Sequence, residues 1–477
     1  MYKRTAHPST RDPLKTTSPA RRGAPLLFSA LAVCLSACQS YEERPLDSAA
    51  HIEAWSTRDL DNSSLEESLE FAQTSLPISS AGFDSTDGLT LHEGRLAALA
   101  YNPRLRIARL EVERALASAA HSGLWEDPEY SLETLKESGA GHDSRGSLST
   151  LTFSIPVFGR TGAQQAKAGA ELHATRLKNH ATEWDIWHEL SREWVEWSAI
   201  KARQVQTVKT LQAIDDLVGR TALLAQAGEL LPTEAGLFVI EKAQLQSQIT
   251  TLDASARMKE RILLALMGLP PGAERQLIPS LDGPLHGPIR DILSALSTQN
   301  PRLAQLSAEY ELAEATLRHE VNKQRPDITL GPAFETDSGQ SRIGLLGGLP
   351  IPLLNANKRA IEEARSAREV ARDRVEAEHE SLLGRASAAA SHVMDLVSLR
   401  RDLEQTLAPL LDRQVADASR LHQLGEGDIL VLLESLTRSH QTRLDAIDAR
   451  AEEALSRHLL SHILGPIPLQ AQTEESQ

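Results

Sequence analysis

Two stretches of the sequence follow one pattern: YNPRLRIARLEVERA at Tyr101–Ala115 and QNPRLAQLSAEYELA at Gln299–Ala313. Each contains Asn-Pro-Arg-Leu and continues with apolar residues at the three- and four-residue steps of a helix. Their asparagines, Asn102 and Asn300, are 198 residues apart, which is far longer than the period of a solenoid repeat. The spacing predicts a duplicated half-protein.

The Asn-Pro pair predicts the start of a helix in each half. An asparagine side chain accepts a hydrogen bond from a free N–H of the first turn, and proline fits the first helical position. We therefore expect Asn102 and Asn300 to cap helices that begin at Pro103 and Pro301. Capping alone and an additional role at an interface between elements are both open.

The N-terminus has the pattern of an export signal. Basic residues precede an apolar run at 24–35, too short to span a bilayer, and the run ends in Leu35-Ser36-Ala37-Cys38, which resembles the bacterial lipobox. The pattern predicts a signal peptide over 1–37 and lipidation of Cys38. A plain secretory signal with an accidental cysteine is the alternative.

Composition and charge narrow the class of protein. Aromatic residues make up 4 % of the 477-residue chain, and the abundance of Ala, Leu, Glu and Arg favours long helices. The net charge of -15 argues against nucleic acid as a partner, because phosphates require a basic surface. No apolar stretch after Cys38 is long enough for a transmembrane helix, so any membrane span would have to be built from strands.

Each half contains two segments in which apolar residues alternate with polar ones, the two-residue period of a strand. In the first half they predict a hairpin over 130–158, with a strand at 130–136 and a long polar loop at 137–146. In the second half they predict a hairpin over 327–354 with a turn at 336–341. The alternating residues are Leu151, Phe153, Ile155 and Val157, then Ile328, Leu330 and Phe334, then Ile343, Leu345, Leu349 and Ile351. A soluble hairpin would show the same alternation.

Proline corners and long helical segments follow both hairpins. The corners contain Pro156 in the first half, and Pro350 and Pro352 in the second. One continuous helix is predicted over 161–227 and another over 357–424. Each reaches a glycine-acid turn and returns as a shorter helix, predicted over 233–267 and 429–464. Both halves therefore read as helix, hairpin, long helix, turn and helix.

This order divides the chain into predicted regions. The signal peptide at 1–37 precedes an extension at 38–87 that contains a short helix near 65–73. The first repeat covers 88–285, with its long helices at 161–267, and the second covers 286–466, with its long helices at 357–464. A short tail at 467–477 ends the chain.

The duplicated order, with its Asn-Pro helix starts, proline corners and glycine-acid turns, resembles the TolC-like family of outer membrane efflux channels from about residue 88 to 466. The resemblance implies a mainly helical fold with a small β part. It implies a homotrimer whose chains each give four strands to one 12-stranded transmembrane barrel, above a periplasmic tunnel of helices. It also implies a periplasmic adaptor, an inner membrane pump and the outer membrane lipid as partners, with no cofactor and no enzymatic activity.

Physical chemistry agrees with the implied assembly, because unpaired sheet edges are costly in lipid and four strands do not close a barrel alone. The segments Tyr41–Asp47 and Gly123–Pro128 resemble the heavy-metal branch more than the drug-exporting branch, so metal cations are the candidate substrates and organic compounds the alternative. A structural lipoprotein that tethers envelope layers is the competing function.

The glycine-acid turns are the candidate functional sites, since the resemblance places them at the periplasmic tip, where the adaptor would bind and the tunnel would narrow. Repeated by threefold symmetry, their carboxylates would form a ring that attracts cations. Solvated turn carboxylates are the alternative. The candidates are Gly228, Glu229, Glu234, Gly425, Glu426, Gly427, Asp428 and Glu434.

Other polar and aromatic clusters have structural alternatives. His458 and His462 are one helical turn apart and fit either a metal pair or two exposed residues. Trp184, Trp187, Trp194 and Trp197 fit a packing stripe better than a ligand cage. The run at 359–380 predicts a solvated helix face.

Overall fold

The computed structural model describes residues 41–58, 60, 87–139, 142–273, 275–284, 296, 298–337 and 339–466. The signal peptide, Cys38, the predicted helix near 65–73 and the tail at 467–477 lie outside the described residues. The chain divides into two compact units, Met1–Ala54 and Trp55–Gln477. The described part of the first unit contains most of helix α1 (Ser48–Ser56), where the Asp47 carboxylate accepts a hydrogen bond from the Ala50 N–H at 2.9 Å.

In both halves of the second unit, a β-hairpin follows a helix and is followed by long antiparallel helices, although the first half has one more helix before its hairpin and the long helix of the second half is interrupted. The first half consists of α2 (Leu91–Tyr101), α3 (Pro103–Ala120), β1 (Glu129–Gly139), β2 (His142–Ile155), α4 (Arg160–Ala227) and α5 (Pro232–Leu266). The second consists of α6 (Pro301–Asn322), β3 (Ile328–Asp337), β4 (Gln340–Gly348), α7 (Lys358–Asp402), a π-helical turn (Leu403–Leu407), α8 (Ala408–Gln423) and α9 (Ile429–Leu464). At 1.5 Å per residue, α4 alone is about 100 Å long.

The four strands form one antiparallel sheet in the order β1-β2-β3-β4. The predicted loop at 137–146 is wrong, because β1 and β2 stay paired as far as Gly139 and His142. The predicted turn at 336–341 is also too long, since Asp337 still pairs with Gln340. Backbone hydrogen bonds make the ladder whatever the side chains are, so polar composition misled both predictions. Leu349, which was predicted to continue an alternating row, lies beyond the end of β4, as Ile351 does.

The predicted continuous helix at 357–424 is also wrong, because a π-helical turn separates α7 from α8. Within it the Ala408 N–H donates to the Leu403 carbonyl five residues back. Pro409 explains the interruption, since proline has no N–H for a regular helical bond and its ring collides with the preceding turn. The corresponding helix of the first half, α4, is uninterrupted.

The largest cluster of buried apolar residues joins α2, α4 and α5. The tryptophan stripe of α4 belongs to it: Ile186, Leu190 and Trp194 are fully buried, and the indole N–H of Trp194 donates to the Ile278 carbonyl at 3.1 Å. The prediction of a packing stripe is therefore confirmed. Each such side chain contributes about 1.5–3 kcal/mol by its burial.

The exposed faces of the helices are charged. In the run at 359–380, Arg359 pairs with Glu363 and Arg372 with Glu376, both at 2.8 Å and one turn apart, as predicted for a solvated face. Among the helices in the described part of the chain, none combines the length and the apolar character needed to cross a membrane.

Candidate functional site

The sheet has one apolar face across all four strands. Because directly paired residues share a face, the pairs Tyr130–Leu151, Phe153–Leu330, Phe334–Ile343 and Pro332–Leu345 align their side chains on the same side. Most of these side chains are exposed, and Ile343 and Leu345 retain 85 % and 74 % of their accessible surface. A row of exposed apolar residues of this width is the signature of a lipid or protein contact.

The opposite face of the sheet is polar. The hydroxyl groups of Ser131 and Thr150 lie 2.5 Å apart across β1 and β2, and Arg342 lies 3.7 Å from Glu335 across β3 and β4. The sheet is therefore amphipathic, with the alternation that a strand shows when its two faces meet different solvents.

The proline corners follow the strands directly. Pro156 lies between β2 and α4, and Pro350 and Pro352 lie between β4 and α7. Around them, large apolar side chains are exposed; these are Trp125, Val157, Phe158, Leu349, Ile351, Leu353 and Leu354. The corners thus extend the apolar surface of the sheet to the point where the helices begin.

Ion pairs fix the start of α4 under the sheet. The Arg160 guanidinium contacts the carboxylate of Asp327, the residue before β3, and lies 3.6 Å from the carboxylate of Glu126. The first long helix is therefore attached to both hairpins.

The asparagines of the duplicated motif do more than cap. The Asn102 Oδ1 accepts from the Arg104 N–H at 2.9 Å, and its Nδ2 donates to the Leu266 carbonyl at 2.7 Å. In the second half, the Asn300 Oδ1 accepts from the Leu303 N–H at 2.8 Å, and its Nδ2 donates to the Ile463 carbonyl at 2.5 Å. Each side chain thus joins the start of its own helix to the end of the returning helix of the same half.

A glycine completes each of these junctions. Gly268 and Gly465 follow the returning helices at φ values of +70° and +93°. A Cβ on Gly268 would collide with the Tyr101 carbonyl, and one on Gly465 with the Gln299 carbonyl. The sequence predicted that the returning helices end at 267 and 464, directly before these glycines, but not the close approach, because the contact joins residues more than 160 positions apart.

The first tip lies between α4 and α5. Gly228 adopts φ +78° and ends α4, and the Glu229 N–H donates to the Leu224 carbonyl at 2.9 Å, which closes the last turn. Pro232 then begins α5, and the Glu234 carboxylate accepts from the Leu231 N–H at 3.2 Å.

The second tip lies between α8 and α9. Gly425 adopts φ +73°, and the N–H groups of Glu426 and Gly427 both donate to the Leu421 carbonyl, at 3.0 and 3.1 Å. Asp428 caps α9 by accepting from the Leu430 N–H at 2.8 Å. Six residues further on, the exposed Glu434 pairs with Arg438 at 2.5 Å.

The two tips share one small apolar cluster. Phe238 of α5 is fully buried in it, together with Leu217 of α4, Ala418 of α8, and Ile429 and Leu432 of α9. The predicted turn residues therefore lie at the ends of two hairpins that pack against each other. The cluster itself was not predicted, because only the fold brings these four helices together.

The histidines near the end of α9 are not both exposed. His458 is buried, and the His462 Nε2 lies 2.9 Å from the Asp185 carboxylate, with its ring stacked 4.3 Å from that of His188. Burial, followed by the neighbouring His462, His458 and Arg192, lowers the pKa of His188 to about 3. Among the described residues, no group of three His, Cys, Asp or Glu side chains is placed to hold a metal ion.

Comparison with known proteins supports the fold and gives one curated relative. No family model matches the chain. The cobalt-zinc-cadmium resistance protein CzcC of Cupriavidus metallidurans is 23 % identical over 387 residues, which cover 79 % of this chain and 90 % of CzcC.

Solved structures match over most of the chain. CusC superposes with a TM-score of 0.67 at 15 % identity, covering 82 % of this chain and 98 % of CusC. The outer-membrane channel OprN has a TM-score of 0.68 at 16 % identity, covering 83 % and 95 %. The Campylobacter jejuni CmeC outer membrane channel has a TM-score of 0.68 at 12 % identity, covering 92 % and 98 %. The chain therefore has the fold of the TolC-like outer membrane channels, which confirms the predicted resemblance and the mainly helical fold with one small antiparallel sheet.

Proposed function

We propose that this protein is the outer membrane channel of a tripartite efflux system, which passively exports substrates delivered by an inner membrane pump through a periplasmic adaptor. The observation that carries the proposal is the amphipathic sheet, whose exposed apolar face spans all four strands and continues into the proline corners. The likeness in fold to outer membrane channels supports it. Export needs no catalysis by this chain, because the pump would supply the energy.

The channel requires three copies of the chain. The sheet has two outer strands, β1 and β4, with unpaired edges in one chain. Such edges cost several kcal/mol per unpaired group in lipid, so the sheet has to close with copies of itself. Three copies supply 12 strands and a lumen wider than that of an eight-stranded barrel. The apolar face would then contact lipid and the polar face would line the lumen.

The proposal places the chain in the outer membrane with its helices in the periplasm. Lipidation of Cys38 would add a second attachment beside the barrel. The duplicated regions at 88–285 and 286–466 would each supply one hairpin to the barrel and one helical hairpin to the tunnel.

The helix tips are the proposed gate and adaptor contact. Threefold symmetry would bring three copies of the turns at Gly228 and Gly425 to the end of the tunnel. The exposed carboxylates of Glu229, Glu426 and Asp428 would then give the entrance a negative potential that attracts cations. Glu234 lies in the first turn of α5, whereas Glu434 lies further along α9 and is partly neutralised by Arg438.

Divalent metal cations are the proposed substrate class. The relative CzcC is named for cobalt, zinc and cadmium resistance. The net charge of -15 and the acidic tips agree with a cationic substrate. Transport of organic compounds by the same channel is the second candidate.

The test is the oligomeric state and conductance of the full-length protein extracted from outer membranes in mild detergent. Negative-stain images with mass measurement should show a threefold particle, and planar bilayers should show channels selective for cations. A monomer without a membrane-embedded part would refute the channel and leave the tethering lipoprotein as the function.

A further inference from the structure

Two adjoining cavities form a basic groove at the end of α5. The first, of about 450 Å³, is lined by Arg257, Glu260, Arg261, Leu264, Pro271, Ala273, Arg275 and Gln276. The second, of about 590 Å³, shares Pro271, Ala273 and Arg275 with it and adds residues 55–58 on its other side. Volumes of this size are those of ligand pockets.

The groove has a charge opposite to that of the protein. Four arginines line the two cavities, and Glu260 is the one carboxylate among the described residues that do so. The whole chain has a net charge of -15. A concave basic surface on an acidic protein concentrates anions locally.

Two of these arginines have no oppositely charged partner among the described residues. Arg257 and Arg261 are exposed and one helical turn apart, a spacing at which like charges destabilise a helix by a few tenths of a kcal/mol. Between them, Lys259 pairs with Glu193 and Glu196 of α4, whereas neither arginine makes an ion pair with any described residue. The arrangement leaves two guanidinium groups at the cavity with no ion pair among the described residues.

The walls of the groove suit a ligand that is not a bare ion. Pro271 and Ala273 form the boundary shared by the two cavities, Leu264 lines one side and the half-buried indole of Trp55 the other. Aliphatic and aromatic walls beside arginines fit a peptide or sugar that carries carboxylates, because the carboxylates take the guanidinium groups and the rings cover the apolar walls.

The position of the groove selects the source of that ligand. Lys259 lies beside Glu193, with 2.8 Å between Nζ and Oε2, and Glu193 is 33 residues along α4 from its start under the sheet. At 1.5 Å per residue this is about 50 Å from the strands. If the strands span the outer membrane, as the proposed function requires, no headgroup of that membrane reaches the groove.

We propose that this groove binds the carboxylate-bearing peptides of the cell wall, the polyanionic polymer that a protein of the periplasm meets at such a distance from the membrane. The inference rests on the proposed function only for the distance between the groove and the outer membrane. Binding to the cell wall would hold the channel at a fixed place in the envelope and would have no part in transport.

The test is co-sedimentation of the full-length, detergent-extracted protein with purified sacculi. Arg257→Glu/Arg261→Glu should lower the apparent affinity about tenfold or more, because charge-assisted hydrogen bonds are lost and repulsion replaces them. The matched control Arg365→Glu/Arg372→Glu, which makes the same charge change on the exposed face of α7, should stay within about twofold of the wild type. Sacculi stripped of their peptides by an amidase should bind the wild type as weakly as intact sacculi bind the first variant.

Three results would overturn the inference: a wild type that does not sediment with sacculi, a control variant that loses as much binding as the groove variant, and a groove variant that binds sacculi normally but no longer binds a purified adaptor. Measuring the conductance of the same preparations distinguishes the failure of one proposal from the failure of the other. A wild type that binds sacculi but does not conduct refutes the proposed function and retains the groove assignment.

Discussion

Replacing Phe238 by alanine should loosen the helix tips without unfolding the rest of the chain. The Phe238 side chain is fully buried among apolar residues from α4, α8 and α9, so its removal leaves a cavity where the two hairpins meet. Phenylalanine-to-alanine changes in such positions cost about 3–5 kcal/mol. The cost should remain local, because α4 and α5 are also held by the separate cluster around Trp194.

Hydrogen exchange measures this loss directly. A local destabilisation of about 3–5 kcal/mol corresponds to roughly 150- to 5000-fold faster exchange of the tip amides where exchange proceeds by local opening. Peptides covering residues 217–240 and 418–436 should show the acceleration in the full-length protein in detergent. If the tips are the gate, the same variant should also raise the baseline conductance of the closed channel.

Two controls bracket the effect. Phe238→Leu keeps most of the side-chain volume and should accelerate the tip amides far less. Leu190→Ala removes an equally buried side chain from the other cluster and should accelerate exchange there but not at the tips. If the tips of Phe238→Ala exchange at the wild-type rate, or if acceleration spreads over the whole chain, the idea that this cluster stabilises the tips locally is refuted.

Four further predictions follow from single contacts. Asp428→Ala should lower the free energy of unfolding by about 1 kcal/mol, because the helix cap is lost. Asp428→Asn caps equally well and should leave the stability unchanged. Both variants should reduce cation selectivity in bilayers, because both remove the charge. Gly268→Ala should destabilise the protein more in thermal unfolding than Gly228→Ala, because both residues have positive φ but only the first would collide with a backbone carbonyl; equal losses would contradict this. Glu453→Gln should cost about 2 kcal/mol in thermal unfolding, since this carboxylate is shared by two arginines. Burial lowers the pKa of His188 to about 3, so between pH 3 and 6.5 the unfolded chain is protonated at this residue and the folded chain is not. The free energy of unfolding should therefore be highest above pH 6.5 and should fall as the pH drops toward 3. The variant His188→Gln should flatten this dependence of Tm on pH.

Local signals in the sequence predicted the order of elements well. Asn102 and Asn300 begin helices, and Gly228 and Gly425 end them, because capping hydrogen bonds and positive φ values depend on residues only a few positions away. The alternation of apolar residues also indicated the strands, since the two faces of the sheet differ in polarity outside the polar stretch at 137–146.

The errors arose where composition was used in place of hydrogen bonding. The polar stretch at 137–146 looks like a loop, yet its backbone continues the ladder between β1 and β2. Over 357–424 the helical periodicity continues through Pro409, but the missing N–H forces a π-helical turn there. In both cases the backbone hydrogen bonds, and not the side-chain pattern, decided the structure.

The contacts that position the candidate site were beyond sequence reasoning, because they join distant residues. The side-chain amides of Asn102 and Asn300 reach the last turns of α5 and α9. The tip cluster around Phe238 combines both halves of the chain. A duplicated motif indicates that such a contact exists twice, but only the fold shows which carbonyl accepts the hydrogen bond.

These contacts distribute stability unevenly along the helices, and the distribution bears on gating. Between the sheet and the tips, each half is held by an asparagine bridge and by a glycine at which a Cβ would collide with a backbone carbonyl. Toward the tips, α8 follows the π-helical turn and buries only Ala418 among its described residues. Segments with few buried contacts open at the lowest free energy. We therefore expect motion at the tip to begin in α8, with the turn at 403–407 absorbing the change in direction while α4 stays straight.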